Sequence, residues 1–564
     1  MIEAFAHPGI ILAFGALMVA LNRGLLRDVL ALGIPLFALW MIWQLPDGVL
    51  WRFEYLGYNL APLRVDKLAR LFATVFTLMA AAGALFALRQ PNRLELPAAF
   101  VYAGSALAAV FAADLFSLFV AWEMMAIGST LVLWSQPGDT ARRATQRYLM
   151  MHLLGGVLLL AGITGQVQET GSLAFHQFEL SGVAQWLILA GFLINAGAPP
   201  FSAWLPDAYP EASYSGTVFL SAFTTKTAVY VLMRGFPGHE VLIYIGLFMV
   251  FYGIIYALLE NDMRRILAYS IVNQVGFMVA GIGIGTEMAL NGAAAHAFTH
   301  IIYKGLLLMS AGAVLHAVGR RKCSELGGLF HTMPWTTLFG TIGALAISAF
   351  PLTSGFVSKS MVSQAAADQH LVWVWMLLTA ASAGVFLHAG IKFPWFVFFQ
   401  KDSGLRPPEA PWHMQAAMIV FAFFCVAIGV YPQPLYAMLP YAVDYVPYTA
   451  AHVLTQTQLL LFSGLAFFLL LPWLKRTETI TLDGDWLYRR LGPSAWQMSE
   501  RAYQALMAPA ERFSRTVRRW AGEAVVQHHL PSGRMARTWP TGYMALWMLV
   551  VLLGCLLLYF RQLL

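Results

Sequence analysis

About sixteen runs of roughly twenty apolar residues follow one another along this chain. A run of that length crosses the hydrocarbon layer of a bilayer as a helix. Away from water, only helices and closed barrels satisfy every backbone N–H and C=O. The expected fold class is therefore all-α, a polytopic membrane protein. Composition agrees, with 59% of the 564 residues hydrophobic and 11% charged, where a soluble domain carries roughly 25% charged residues. The first run follows MIEAF, with no basic flank and no clear cleavage site, and reads as a retained span rather than a signal. Cys323, Cys425 and Cys555 show neither metal spacing nor a pairing pattern.

The loops alternate in charge. Arg23 and Arg27 follow the first run, Arg89 and Arg93 the third, and Arg142, Arg143 and Arg147 the fifth. Arg264 and Arg265 follow the ninth, and Arg320, Arg321 and Lys322 the eleventh. The loop QVQETGSLAFHQFEL has no Lys or Arg. The positive-inside rule puts the basic loops in the cytoplasm and both termini in the periplasm of a bacterial inner membrane. These arginines, and not nucleic-acid binding, explain a pI of about 9.2.

Two runs are overlong and interrupted. LINAGAPPFSAWLPDAYPEA breaks at Pro199 and Pro200, and AISAFPLTSGFVSKSMV at Pro351 and Gly355. Each break falls on the fourth helix of a five-helix set. Five is odd, so the second set is expected to run inverted relative to the first. Paired broken helices in inverted halves point to a transport site, although prolines also simply kink membrane helices. The expected organisation is a three-helix region over 1–95, a five-helix repeat over 96–235 and its inverted counterpart over 241–400. Further helices follow over 412–474, then a basic cytoplasmic segment over 475–541 and a last membrane helix over 542–564. Within the basic segment, Tyr503, Leu506, Phe513, Val517 and Trp520 recur at helical spacing, with Arg501, Arg512, Arg515 and Arg519 on other faces. That pattern is an amphipathic surface helix, lying on lipid or against partner subunits.

Ionisable residues at membrane depth carry the functional reading. In NGAAAHAFTHIIYKGLLLMSAGAVL, His296, His300 and Lys304 stand at i, i+4 and i+8, one drifting row on a helix. Glu123 and Lys359 lie in other apolar runs. An ion there costs at least ~2.5–3.5 kcal/mol on insertion scales, so each is a functional hypothesis by default. A line of titratable groups across a bilayer is what a proton path requires. Two core histidines bonded to backbone carbonyls are the plainer alternative for His296 and His300, and spacing alone would also allow a metal. No Asp, Glu or Cys joins them, so none is expected. His388 and Lys392 also stand at i, i+4, as a candidate exit or as a lysine snorkelling to the surface. No nucleotide loop, flavin fingerprint, haem site or cluster-binding cysteine set occurs, so no cofactor is expected.

At FSLFVAWEMMAIGS, AWLPDAYPEA, NDMRRILAYSIVNQVGF, HAFTHIIYKGLLLMSAGAV and PLTSGFVSKSM, over roughly residues 60–435, the chain resembles a known family. It is similar to the antiporter-like proton-conducting subunits of complex I, membrane-bound hydrogenases and Mrp-type Na+/H+ antiporters. TTKTAVYVLMRG resembles the D-type branch of the Mrp proteins. DGDWLYRRLGP and the surface helix resemble the complex I subunit that carries a lateral helix. The resemblance implies a fourteen-helix core with inverted repeats, a hydrated axis and a multisubunit complex. It places the family's glutamate on Glu123, its histidine–lysine row on His296, His300 and Lys304, its second broken-helix lysine on Lys359, and a lysine of some branches on Lys226. Two positions depart from it. Asn195 stands where the first broken helix usually has lysine, and Arg264 where lysine precedes RxLAYS. Asparagine cannot titrate and arginine does not deprotonate. Arg264 is expected as a surface anchor, and Lys226 as the remaining partner for Glu123, whether as a working pair or a static one.

The expected function is a proton-conducting subunit of a cation/proton antiporter complex, a transport component rather than an enzyme by itself. Its partners would be protons, Na+ as a further candidate ion, other membrane subunits and the bilayer. Three alternatives stand beside it: a component of a redox-driven pump, the membrane half of an inorganic-carbon uptake complex, and a scaffold that has lost transport.

Overall fold

The structure is a computed structural model that describes residues 6–473, 483–529, 533 and 540–561. Among these residues, twelve helices are long and apolar enough to cross a membrane. Shorter apolar helices at Pro8–Leu21, Glu95–Phe111, Val183–Ala196 and Pro334–Ile347 occupy four further expected runs. A β-hairpin was not anticipated. Gly48–Tyr55 pairs antiparallel with Tyr58–Val65 between the second and third helices. Leu56 and Gly57 both have positive φ, 51° and 79°, which is what a two-residue type I′ turn needs.

Both expected breaks are present. Val183–Ala196 ends at Gly197, whose φ of 78° suits glycine. The chain re-enters a short helix at Trp204–Ala208. Trp204 Nε1 donates to Ile194 O at 3.0 Å, beside the Gly197 N–H at 3.1 Å, and so ties the far side of the break to the end of Val183–Ala196. Arg147 grips Asp207 with two bonds of 2.7 and 2.8 Å, fixing the far side of the break to the long helix Asp139–Thr170. The second break separates Pro334–Ile347 from Ser354–Asp368, with positive φ at Ala349 and Leu352 on either side of Pro351. Gly355 is not itself in the break. It sits in the first turn of the resumed helix, where a Cβ would come within 1.9 Å of Ala346 O. Close backbone approach is what requires glycine there. A third interruption, over residues 221–223, divides Gly216–Leu220 from Thr224–Gly235 and has no proline to announce it.

Glu287–Val318 is one unbroken 32-residue helix, buried along nearly its whole length. Val372–Val385 runs on into wide π turns at Phe386–Lys392 and Trp395–Phe399. Such turns insert a residue into the helical ladder and recur at functional sites. Asp483 accepts from Tyr252 Oη at 2.5 Å and Tyr269 Oη at 2.7 Å, so it is tied to the helices Val241–Leu259 and Met263–Ile284.

Residues 486–564 form a second compact unit. It contains most of the 45-residue helix Asp485–His529 and the apolar helix Thr541–Arg561. The long helix is amphipathic as expected, with Leu506, Phe513 and Trp520 exposed on it. The expected basic segment also includes 475–482, 530–532 and 534–539, which lie outside the described residues.

Candidate functional site

His296, His300 and Lys304 lie on the unbroken helix, fully buried. Lys304 Nζ donates to Ser270 Oγ at 2.7 Å, with Leu267 O at 3.4 Å. His296 Nε2 lies 3.0 Å from Gln274 Oε1, and its Nδ1 lies 3.5 Å from Ser358 Oγ. Tyr303 Oη donates to the same Gln274 oxygen at 3.1 Å. Ser358 Oγ is 2.8 Å from Thr299 Oγ1. Ser358 is also the neighbour of Lys359, so this hydroxyl pair joins the unbroken helix to the second broken one. Among the described residues, Lys359 Nζ has no hydrogen-bond partner and rests 4.2 Å above the Phe277 ring, a cation–π position. His300 packs its ring 5.2 Å from Tyr303, and among the described residues neither of its nitrogens has a partner. Lys304, His300, His296, Ser358 and Lys359 thus share one buried band, in which direct hydrogen bonds link His296 to Gln274 and Ser358, and Lys304 to Ser270, while His300 and Lys359 stand unbonded. A cavity of about 120 Å³ touches Lys359 and is lined by Ser363, Gln364, His452 and Gln456, polar groups able to hold several waters.

The first half is arranged differently. Lys226 Nζ donates to Ser221 O at 2.7 Å and Thr225 Oγ1 at 3.2 Å. Ser221 belongs to the third interruption, so the lysine satisfies a carbonyl that the helix cannot. Glu123 and Lys226 were expected to meet directly or through one water; among the described residues, no direct ion pair joins them. Glu123 Oε1 instead lies against the helix Asp139–Thr170, so close that a Cβ on Gly156 would be 2.1 Å away. Asn195 Oδ1 lies 3.5 Å from where a Cβ on Gly155 would be. Around them, Glu123 Oε1, both polar atoms of Asn195, both nitrogens of His152, Tyr148 Oη and Tyr209 Oη are buried and close no well-formed hydrogen bond among the described residues. Each such group costs about 1–3 kcal/mol if left dry, which favours water among them.

The remaining expected site residues act as caps. Lys392 Nζ reaches Ala257 O, Leu258 O and Glu260 O at 3.1, 2.5 and 2.6 Å, capping the end of Val241–Leu259. It does not snorkel to the surface, being 4% exposed. His388 Nδ1 lies 2.8 Å from Gly384 O. Arg264 is not a surface anchor either. It is buried and donates to Pro210 O, Ala212 O and Ser213 O at 2.7–2.8 Å, holding the strand of chain beyond the first break. A guanidinium offers five donors in a fixed fork, which matches three converging carbonyls.

Sequence reasoning passed over Ser270, Gln274, Ser358 and His152. The first three are neutral, and only the tertiary fold shows that they face the lysines and histidines. His152, in MMHLLGG, is an ionisable residue in an apolar run, and the depth argument that singled out His296 applies to it equally.

The fold is thus a bundle of membrane-length helices in which interrupted helices flank a buried row of lysines and histidines. The chain belongs to the NADH:quinone oxidoreductase/Mrp antiporter transmembrane family, whose profile matches residues 112–384. A probable K+/H+ antiporter component of Rhizobium meliloti is 30% identical over 67% of this chain. The chain spans only 41% of that relative's length. An uncharacterised protein of Mycobacterium tuberculosis is 30% identical over 73% of this chain and 70% of its own. Among solved structures, a chain of an archaeal membrane-bound sulfane sulfur reductase shares the fold, with a TM-score of 0.71 and 21% identity over 97% of this chain and 99% of that one.

Proposed function

We propose that this chain is the proton-conducting subunit of a multisubunit cation/proton antiporter in a bacterial inner membrane. The observation that carries this reading is the buried band that gathers Lys304, His300, His296 and Lys359, because a buried lysine kept without a carboxylate partner is costly unless its charge comes and goes. Protons would step between Lys304, the two imidazoles and Lys359, with Gln274, Ser358 and Thr299 orienting the donors. A neutral imidazole both donates and accepts, as a relay requires. The proposal includes about sixteen spans, two inverted five-helix repeats over 96–235 and 241–400, periplasmic termini and the domain boundaries given above. Na+ as the exchanged ion and the other membrane subunits also belong to it. The fold shared with a chain of a respiratory reductase keeps one second reading, a redox-driven pump.

The test is proton flux in liposomes holding the purified native complex, followed with a trapped pH dye. Lys359→Ala should reduce flux to the level of empty vesicles while the subunits still copurify. Native-level flux in that assembled variant would overturn the reading. Copurifying quinone-reactive subunits would move it to the redox pump.

A further inference from the structure

His152 is a buried histidine that the route above does not use. It is 2% exposed, and neither ring nitrogen closes a well-formed hydrogen bond among the described residues. The buried histidines with plain structural roles look different: His388 bonds Gly384 O at 2.8 Å, and His413 bonds Phe86 O at 3.1 Å. The His152 ring is wedged between Tyr148, at 4.1 Å, and Trp204, at 4.8 Å, and the Trp204 indole is itself pinned across the first break. The imidazole lies within interaction range of the Asn195 amide, although neither side chain closes a well-formed hydrogen bond among the described residues. Residues 152, 155 and 156 share one helix face. Asn195 Oδ1 lies against Gly155 and Glu123 Oε1 against Gly156. A single face of Asp139–Thr170 thus gathers an imidazole, an amide and a carboxylate. Among the described residues, none of the three closes a well-formed hydrogen bond at the atoms that face this space, and Gly156 leaves room for the carboxylate.

We propose that His152 is the proton-exchanging partner of Glu123 in the first half, with Asn195 and water between them. The inference rests on the proton-conducting reading. A proton leaves the Glu123 carboxyl and adds to the unprotonated imidazole nitrogen, turning a neutral pair into a carboxylate and an imidazolium. Release of a proton from the other nitrogen resets the histidine, and uptake by the carboxylate resets the glutamate. The Asn195 amide can accept from the imidazolium or donate to the carboxylate, so it serves both states. Lys226 is committed to Ser221 O and takes no part in this exchange.

Three variants test it in the reconstituted native complex. His152→Ala should lower proton flux about 100-fold with assembly intact, the lower end of what a positioned proton-transfer group contributes. Adding Asn195→Lys to His152→Ala should restore most of that flux, which no repair of a purely structural histidine would do. Lys359→Ala in the same vesicles reports separately on the underlying reading. Native flux in His152→Ala, or a loss that Asn195→Lys leaves unchanged, would overturn the proposal. A readout independent of transport is the Glu123 carboxyl infrared band, identified by its absence in Glu123→Gln. Its titration midpoint should move in His152→Ala, and an unmoved midpoint would overturn the pairing.

Discussion

The two halves of this membrane domain solve the same problem with different chemistry. In the second half, charged and polar side chains meet directly: Lys304 on Ser270, His296 on Gln274, Ser358 on Thr299. In the first half, Glu123, Asn195, His152, Tyr148 and Tyr209 keep buried polar atoms that close no well-formed hydrogen bond among the described residues. On the proposed reading, the second half rests on side chains held by direct contacts, and substitution should break it outright. The first half would depend on water and on the room left by Gly156, so it should respond to volume added there as much as to lost chemistry.

The largest effects belong to the second half. Lys304→Ala and Lys359→Ala should each cut proton flux ~100-fold or more, the scale of losing an obligate proton carrier. Flux measured per assembled complex in liposomes checks this, and a mild loss would make the two halves alike. Next, Gln274→Leu removes the oxygen shared by His296 and Tyr303 and should lower flux about tenfold, from one or two buried groups left unpaired. Smaller still is a glycine pair that sharpens the contrast. Gly156→Ala drives a methyl into Glu123 Oε1 and should reduce flux several-fold, whereas Gly155→Ala meets ordinary contacts of 3.4–3.6 Å and should conduct nearly as the native chain does. Equal behaviour of the two alanines would mean that the space between the halves' polar groups is not tightly shaped. The smallest effect on flux is expected from Lys392→Met. Three carbonyls lose their cap, which should lower stability by roughly 1–3 kcal/mol in a thermal melt. Flux per folded complex should hold, and its loss would restore Lys392 as an exit.

The same contrast explains what could be read from sequence. Lys304 and Lys359 were legible because charge in an apolar run is rare and costly. The breaks at Pro199–Pro200 and Pro351 were legible because proline removes a donor. The interruption at 221–223 has no such marker, and with it went the role of Lys226, which depends on a carbonyl freed there. Arg264 was misjudged because its position at a helix start looks like a loop position. Its burial follows from the chain beyond Pro210 folding back over it. The hairpin at 48–65 alternates weakly and sits between strong apolar runs, which mask a two-strand signal. Ser270, Gln274 and Ser358 carry no charge, so only their contacts reveal them.

The most direct test of the second-half route is Lys304→Arg in the reconstituted complex. Arginine keeps a positive charge at that position but does not give up its proton. If Lys304 carries protons, flux should fall to the level of empty vesicles while the subunits still copurify. If Lys304 serves only as a fixed charge, the arginine variant would conduct at the native rate, and that result would contradict the route from Lys304 to Lys359.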